Sequence, residues 1–174
     1  MAAYYTYLIS SLPGLNIFSR PPFSLKDFFA KCKNLIPEND FEILYAAVDQ
    51  ESYSLGGHSS SSLKQWADFE VTLRNELVRA RASRKKIDPS KFLRLPDSPQ
   101  AQIVHVAMAA YRSVSILESE KILDQARWNF LDGLILGHYF DFEYLLVYGL
   151  KLKILERWDK IQSADKELLL NTVV

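Results

Sequence analysis

The chain has 174 residues, enough to bury a self-sufficient core in one large domain or two small ones. Lys plus Arg equals Asp plus Glu at 21 each, so no global field favours nucleic acid or an anionic membrane. Aromatic content of 13% with only six glycines favours packed helices over a turn-rich β-sandwich, and a lone cysteine excludes an internal disulfide.

The N-terminal cluster Tyr4, Tyr5, Tyr7, Leu8 and Ile9 predicts a short helix stopped by Pro13-Gly14, with an extended loop to Pro22. Ser24 followed by Asp27 reads as a capping box that opens a helix to about Leu35. Pro37 ends it, and Asn39 or Asp40 caps a second helix to about Val48, with Phe41, Leu44, Tyr45 and Val48 on one face. The two form a helical hairpin. Residues 49–61 are polar and glycine-bearing and read as a surface linker, the best candidate boundary within a single 1–174 helical domain. The glycines lack the strand and lysine spacing of a phosphate cradle.

Ser62 is the expected cap of a helix to Lys85, about 36 Å long and the longest uninterrupted one in this reading. Trp66, Phe69, Leu73, Leu77 and Ala80 make its apolar stripe, and Lys64, Asp68, Asn75 and Arg79 its polar side. It closes in a basic run, Arg79, Arg81, Arg84, Lys85 and Lys86. Cations there favour the helix C-terminus and could also meet phosphates or an acidic partner. No aromatics interleave this run, which argues against a single-strand nucleic-acid binder. A loop with one helical turn follows to Pro99. Ser98 then caps a helix whose buried side is Ile103, Val106, Ala107, Ala110, Tyr111 and Val114, with His105 opposite.

A further helix is expected from Ser119 to Leu136, stopped by Gly137, and Asp141 caps a last long helix to about Gln162, with a turn or continuation over Ser163 to Asn171. From Phe142 to Leu152 apolar residues surround its circumference, as in a central helix. Beyond that, Lys153, Glu156, Arg157 and Lys160 take one side and Ile154, Trp158 and Ile161 the other. Lys151 emerges from an apolar patch, where an unpaired ammonium costs several kcal/mol. It is expected to find Asp132 or Asp141. Arg127 is flanked by Leu123, Phe130 and Leu131, with Asp124 as its local acid.

Catalytic signals are weak. His58, His105 and His138 lie on three elements with no metal-ligand spacing, and neither catalytic nor cofactor-binding residues are expected. Cys32 reads as a structural thiol, although Lys31 and Lys33 beside it could lower its pKa. No apolar run is long and charge-free enough to span a membrane, and no basic leader precedes one, so a cytoplasmic location is expected.

The segments YYTYLISSLPGL, PPFSLKDFF and RWNFLDGLILGHYFDFEYLLVYGLKLKILERW resemble an uncharacterised bacterial family, a domain of unknown function encoded beside V-type ATP synthase genes. The pattern from Tyr139 to Lys153 also resembles repeats in the C subunit of V/A-type ATPases, an all-helical funnel between central stalk and rotor ring. The resemblance implies an all-α, antiparallel multi-helix bundle similar to that funnel. It also implies a non-catalytic adaptor of stalk or rotor subunits that works by surface contact, peripheral to the membrane. The contact surface is then expected at Lys151, Lys153, Arg157 and Lys160 and at Arg84, Lys85 and Lys86, facing acidic stalk surfaces. A stand-alone helical enzyme or ligand-binding protein with a pocket between helices is the alternative.

Overall fold

The computed structural model describes residues 5–50, 60–95 and 99–172, and of residues 165–172 only the backbone. The described residues are all-helical: α1 (Tyr5–Ser10), α2 (Leu25–Cys32), α3 (Glu38–Val48), α4 (Ser61–Lys85), a 3-10 turn (Ser90–Phe92), α5 (Ala101–Arg112), α6 (Ile116–Leu134) and α7 (Phe142–Thr172). They fall into two compact units, residues 1–59 with 131–174, and residues 60–130. Most of the 49–61 linker, with His58, lies outside the described residues, as does Ser98.

The first unit is built on α7, against which α1, α2 and α3 all pack. Every residue from Leu145 to Leu152 except Gly149 is buried with its side chain, around the whole helix and not on one stripe. Gly149 lies against α2 and α3. A Cβ there would lie 3.0 Å from Val48 Cγ2 and 3.1 Å from Phe28 Cε1, so only a missing side chain permits the approach. Beside it Tyr148 stacks on Phe28 and Phe23, and its hydroxyl donates to the Pro13 carbonyl at 2.9 Å. Burial, with Tyr144 nearby, pushes that phenol well above its ordinary range.

Helix ends show how local chemistry sets the elements. Ser24 and Asp27 form the full capping box of α2, and the Leu25 N–H reaches across to Glu156 Oε1 of α7 at 2.5 Å. The helix ends at Cys32, before the expected Leu35, and finishes in a turn whose Leu35 and Ile36 N–H groups both bond to the Cys32 carbonyl. In α3 the first helical residue is Glu38 after Pro37, so Asn39 and Asp40 lie inside the helix. Its buried face is Ile43, Leu44, Ala46, Ala47 and Val48, while Tyr45 is exposed and Phe41 half-buried. Those two rings turn toward Phe29.

The second unit pairs α4 with α5. Ser60, not Ser62, caps α4, accepting from the Leu63 N–H at 3.0 Å, and Ser62 is buried in the first turn. Trp66, Phe69, Leu73 and Ala80 are buried as the stripe requires. The aromatic end of the stripe stacks on Phe130, with the Phe69 and Phe130 centroids 4.2 Å apart. Asn75, expected on the polar side, is fully buried. It donates to the Arg94 carbonyl at 2.8 Å and accepts from the Arg94 N–H at 2.9 Å, pinning the α4–α5 connection. Lys86 ends α4 in the left-handed region at φ 54°. On α5, Ile103, Ala107 and Ala110 are buried. The helix begins at Ala101 and ends at Arg112, which leaves Val114 beyond it and 97% exposed.

The last two helices are longer than their expected forms. α6 starts at Ile116, and α7 runs unbroken through Ser163 to Thr172, making it and not α4 the longest helix described. Nothing in residues 163–172 is Gly or Pro, so the continuation meets no breaker. Gly137, at φ 88°, supplies the left-handed residue after α6, and Asp141 Oδ1 accepts from the Tyr144 N–H at 3.0 Å, as an N-cap does.

Candidate interaction surface

The cations divide into those consumed by the fold and those that remain at the surface. Arg127 belongs to the first group: Nε lies 2.7 Å from Glu70 Oε1, and Nη1 lies 2.8 Å from Asp124 Oδ1, whose side chain is 1% exposed. Burial works to lower the guanidinium pKa, and the two carboxylates outweigh it, so the group is held in its charged form. Lys151 Nζ sits 2.5 Å from Asp132 Oδ1, with the ammonium largely buried and the carboxylate half-exposed. Asp141 is engaged elsewhere, with His138 Nδ1 at 2.6 Å and with the start of α7. Lys153, expected on the emerging face of α7, instead donates to the Val48 carbonyl at 2.6 Å, covering the last turn of α3. This geometry removes Lys151 and Lys153 from the outward-facing set.

The second group remains at the surface. Arg157 is exposed but engaged within the chain, and Lys160, also exposed, approaches Glu156 at 4.0 Å. Arg81, Arg84, Lys85 and Lys86 are all exposed at the end of α4, and Lys91 and Arg94 continue the basic character beyond it. Ile87, Phe92 and Leu95 are exposed in the same connection, so this end of the second unit is both cationic and apolar.

Beside that end runs an open groove of about 670 Å³ between α4 and α5. Glu76, Arg79, Ala80 and Arg84 line one side; Val104, Met108, Tyr111 and Arg112 line the other. Glu76 is nearly buried and is neutralised by Arg79 at 2.5 Å, which leaves Arg84 and Arg112 to set the sign of the rim. The Tyr111 hydroxyl is buried without a hydrogen-bond partner among the described residues. Arg112, Met108 and the groove role of Tyr111 went unread in the sequence. Their signal is a second stripe, Val104, Met108, Tyr111, next to the core stripe of Ile103, Ala107 and Ala110 and rotated about one residue from it.

Residues 104–174 match a family described as Protein of unknown function (DUF2764). The match covers less than half of the chain, taking in most of α5 and all of α6 and α7. No curated protein and no solved structure matches the chain.

Other chemistry is sparse. The Cys32 thiol is buried, as a structural thiol is expected to be, and burial pushes its pKa up to about 12, the reverse of the lowering that Lys31 and Lys33, whose side chains are exposed, could have produced. Among the described residues no group of His, Cys, Asp and Glu is placed to hold a metal ion, and no helix is long and apolar enough to cross a membrane. Tyr5 donates to Asp40 Oδ2 at 2.5 Å, and burial with that carboxylate raises its pKa far above the ordinary range, which suits a tether better than an acid-base group.

Proposed function

We propose that the protein is a non-catalytic helical adaptor that acts by surface contact with stalk or rotor subunits of a V-type ATPase, through a helical architecture like that of the funnel-shaped C subunit, at the cytoplasmic side of the membrane. The observation that supports it best is the division of the cations. In a chain of zero net charge, Arg127, Lys151 and Lys153 are spent on internal partners, while Arg84, Lys85 and Lys86 stand exposed together at one helix end. Such a local field on a neutral protein speeds and orients encounter with an acidic partner. The choice of a V-type ATPase comes from the sequence resemblance, whose longest segment lies within the matched residues 104–174.

The test is affinity purification of the tagged full chain from its native cells, with the bound proteins identified by mass spectrometry. V-type ATPase subunits are expected with the unaltered protein and are expected to be depleted by Lys85→Glu/Lys86→Glu. Recovery of the unaltered protein without any part of the ATPase would overturn the assignment. The second reading, a small-ligand-binding protein, is favoured by the α4–α5 groove. Against it, the groove's carboxylate is already neutralised by Arg79.

A further inference from the structure

We infer that the groove between α4 and α5 is a helix-binding site, and that its occupant is an amphipathic acidic helix of a partner protein. Its chemistry is mixed in a way that restricts the occupant. Ala80, Val104, Met108 and the ring of Tyr111 provide an apolar floor, and Met108 adds an adaptable, polarisable contact. The rim carries Arg84 and Arg112, both exposed, and Glu76, the acid that lines the groove, is neutralised by Arg79. An apolar helix alone would leave the two guanidinium groups beside it without counter-charge. A basic helix would be repelled. A helix with a leucine stripe and flanking carboxylates satisfies floor and rim together, and guanidinium pairs with carboxylate in a fixed, bidentate geometry.

Size and shape agree with this occupant. The groove, of about 670 Å³, is open to solvent between two helices, not closed over as a small-molecule cavity would be. The buried Tyr111 hydroxyl adds an independent observation. A hydroxyl held from water without a partner is destabilising, and Tyr111 is among the residues that line the groove. The inference depends on the adaptor reading only in making the occupant a protein; the form and charge of the groove stand without it.

The experiment uses the full chain and a fluorescein-labelled, 14-residue (~21 Å of helix) probe with leucines at i, i+3, i+4 and i+7 and glutamates elsewhere. Fluorescence anisotropy should show saturable binding that weakens with salt. Arg84→Glu/Arg112→Glu should weaken it at least tenfold, whereas Lys64→Glu/Lys91→Glu, an equal charge change at exposed lysines off the groove, should alter it less than threefold. Replacing the probe leucines by serine should abolish saturable binding. Circular dichroism melting shows that each variant is folded. Equal losses in the two double variants, or undiminished binding of the serine probe, would reduce the interaction to diffuse charge attraction and overturn the inference. Binding to phosphatidylserine vesicles with none to the peptide would overturn it in favour of a membrane. Groove binding without ATPase co-purification refutes the choice of ATPase and leaves the groove. Co-purification that survives Arg84→Glu/Arg112→Glu refutes the groove and leaves the adaptor.

Discussion

Gly149 provides the sharpest test of how the first unit is packed. Alanine in a helix interior is more favourable than glycine by about 0.5–1 kcal/mol, so propensity alone predicts that Gly149→Ala stabilises. The structure predicts the opposite, because the new Cβ would stand 3.0 Å from Val48 Cγ2 and 3.1 Å from Phe28 Cε1, inside the roughly 3.5–4.0 Å at which carbons attract. Neither neighbour yields easily. Both are fully buried; Val48 is branched at Cβ, and Phe28 is held between Phe29 and Tyr148. Overpacking typically costs about 1–3 kcal/mol, so the net expectation is a destabilisation of about 1 kcal/mol. Gly133 of α6 is the control: a Cβ there meets nothing within 4 Å, and Gly133→Ala should stabilise by about 0.5–1 kcal/mol. In a chain of this size the two melting temperatures should separate by about 4–8 °C in circular dichroism melts. Val48→Ala, which removes Cγ2, destabilises by itself because Val48 is fully buried, but combined with Gly149→Ala it should cost less than the sum of the two single changes, a favourable coupling term in urea titrations. If Gly149→Ala raised the melting temperature as much as Gly133→Ala, the close approach of α7 to α2 and α3 would be refuted.

Three further outcomes follow from the same physics. Arg127→Leu leaves Asp124 and Glu70 without that guanidinium and should destabilise the chain by about 3 kcal/mol in urea titrations; a loss under about 1 kcal/mol would mean the cluster contributes little. The Cys32 thiol, with its pKa pushed up to about 12, should be inert to Ellman's reagent at neutral pH and react fully in guanidinium chloride. Because the folded value is raised, burial of the thiol costs nothing in proton linkage while both states are protonated, and it opposes folding once the unfolded thiol ionises and the buried one does not. Stability should therefore fall as pH climbs above the ordinary thiol range, with the loss levelling off near 12; rapid native labelling at pH 8 (about the ordinary thiol range) would contradict the burial. Gly137→Ala places a side chain at φ 88° and should lower the melting temperature by a few degrees through about 1–2 kcal/mol of strain, although nothing lies within 4 Å of the new Cβ.

What could be read from the sequence was local or unambiguous in period. The Ser24–Asp27 box needs only four consecutive residues, and the full-circumference apolar run on α7 leaves one interpretation, a central helix. Failures came where two local solutions were nearly equal or the deciding partner was remote. Four serines in succession offer alternative caps for α4, and Ser60 is the one used. In α3 the aromatic stripe of Phe41 and Tyr45 competes with one of Ile43, Ala46 and Ala47. Small alanines let α7 approach, so the less conspicuous stripe was buried. Asn75 looked like a surface residue because its partner, the backbone of Arg94, is nineteen positions away and has no sequence signature.

The same contrast explains why the candidate surface was only half legible. A basic run is visible as a run, and α4 does carry Arg84, Lys85 and Lys86 outward. Whether a lysine on an apolar helix faces a partner or its own fold depends on which acceptor tertiary structure brings within reach of a long, flexible side chain. Lys151 and Lys153 are two positions apart on α7; Lys151 meets Asp132, one of the two carboxylates expected for it, whereas Lys153, expected on the emerging face, meets the last carbonyl of α3. Charge count therefore overstates the surface available to a partner, and subtracting the internally satisfied cations restores it. After that subtraction, Arg84 and Arg112 stand on opposite helices across an apolar floor, whereas on α7 Lys160 lies near Glu156 and Arg157 is engaged within the chain. Opposed cations flanking apolar side chains hold a ligand from two sides. That geometry makes the α4–α5 groove, and not the end of α7, the stronger place for a partner to bind.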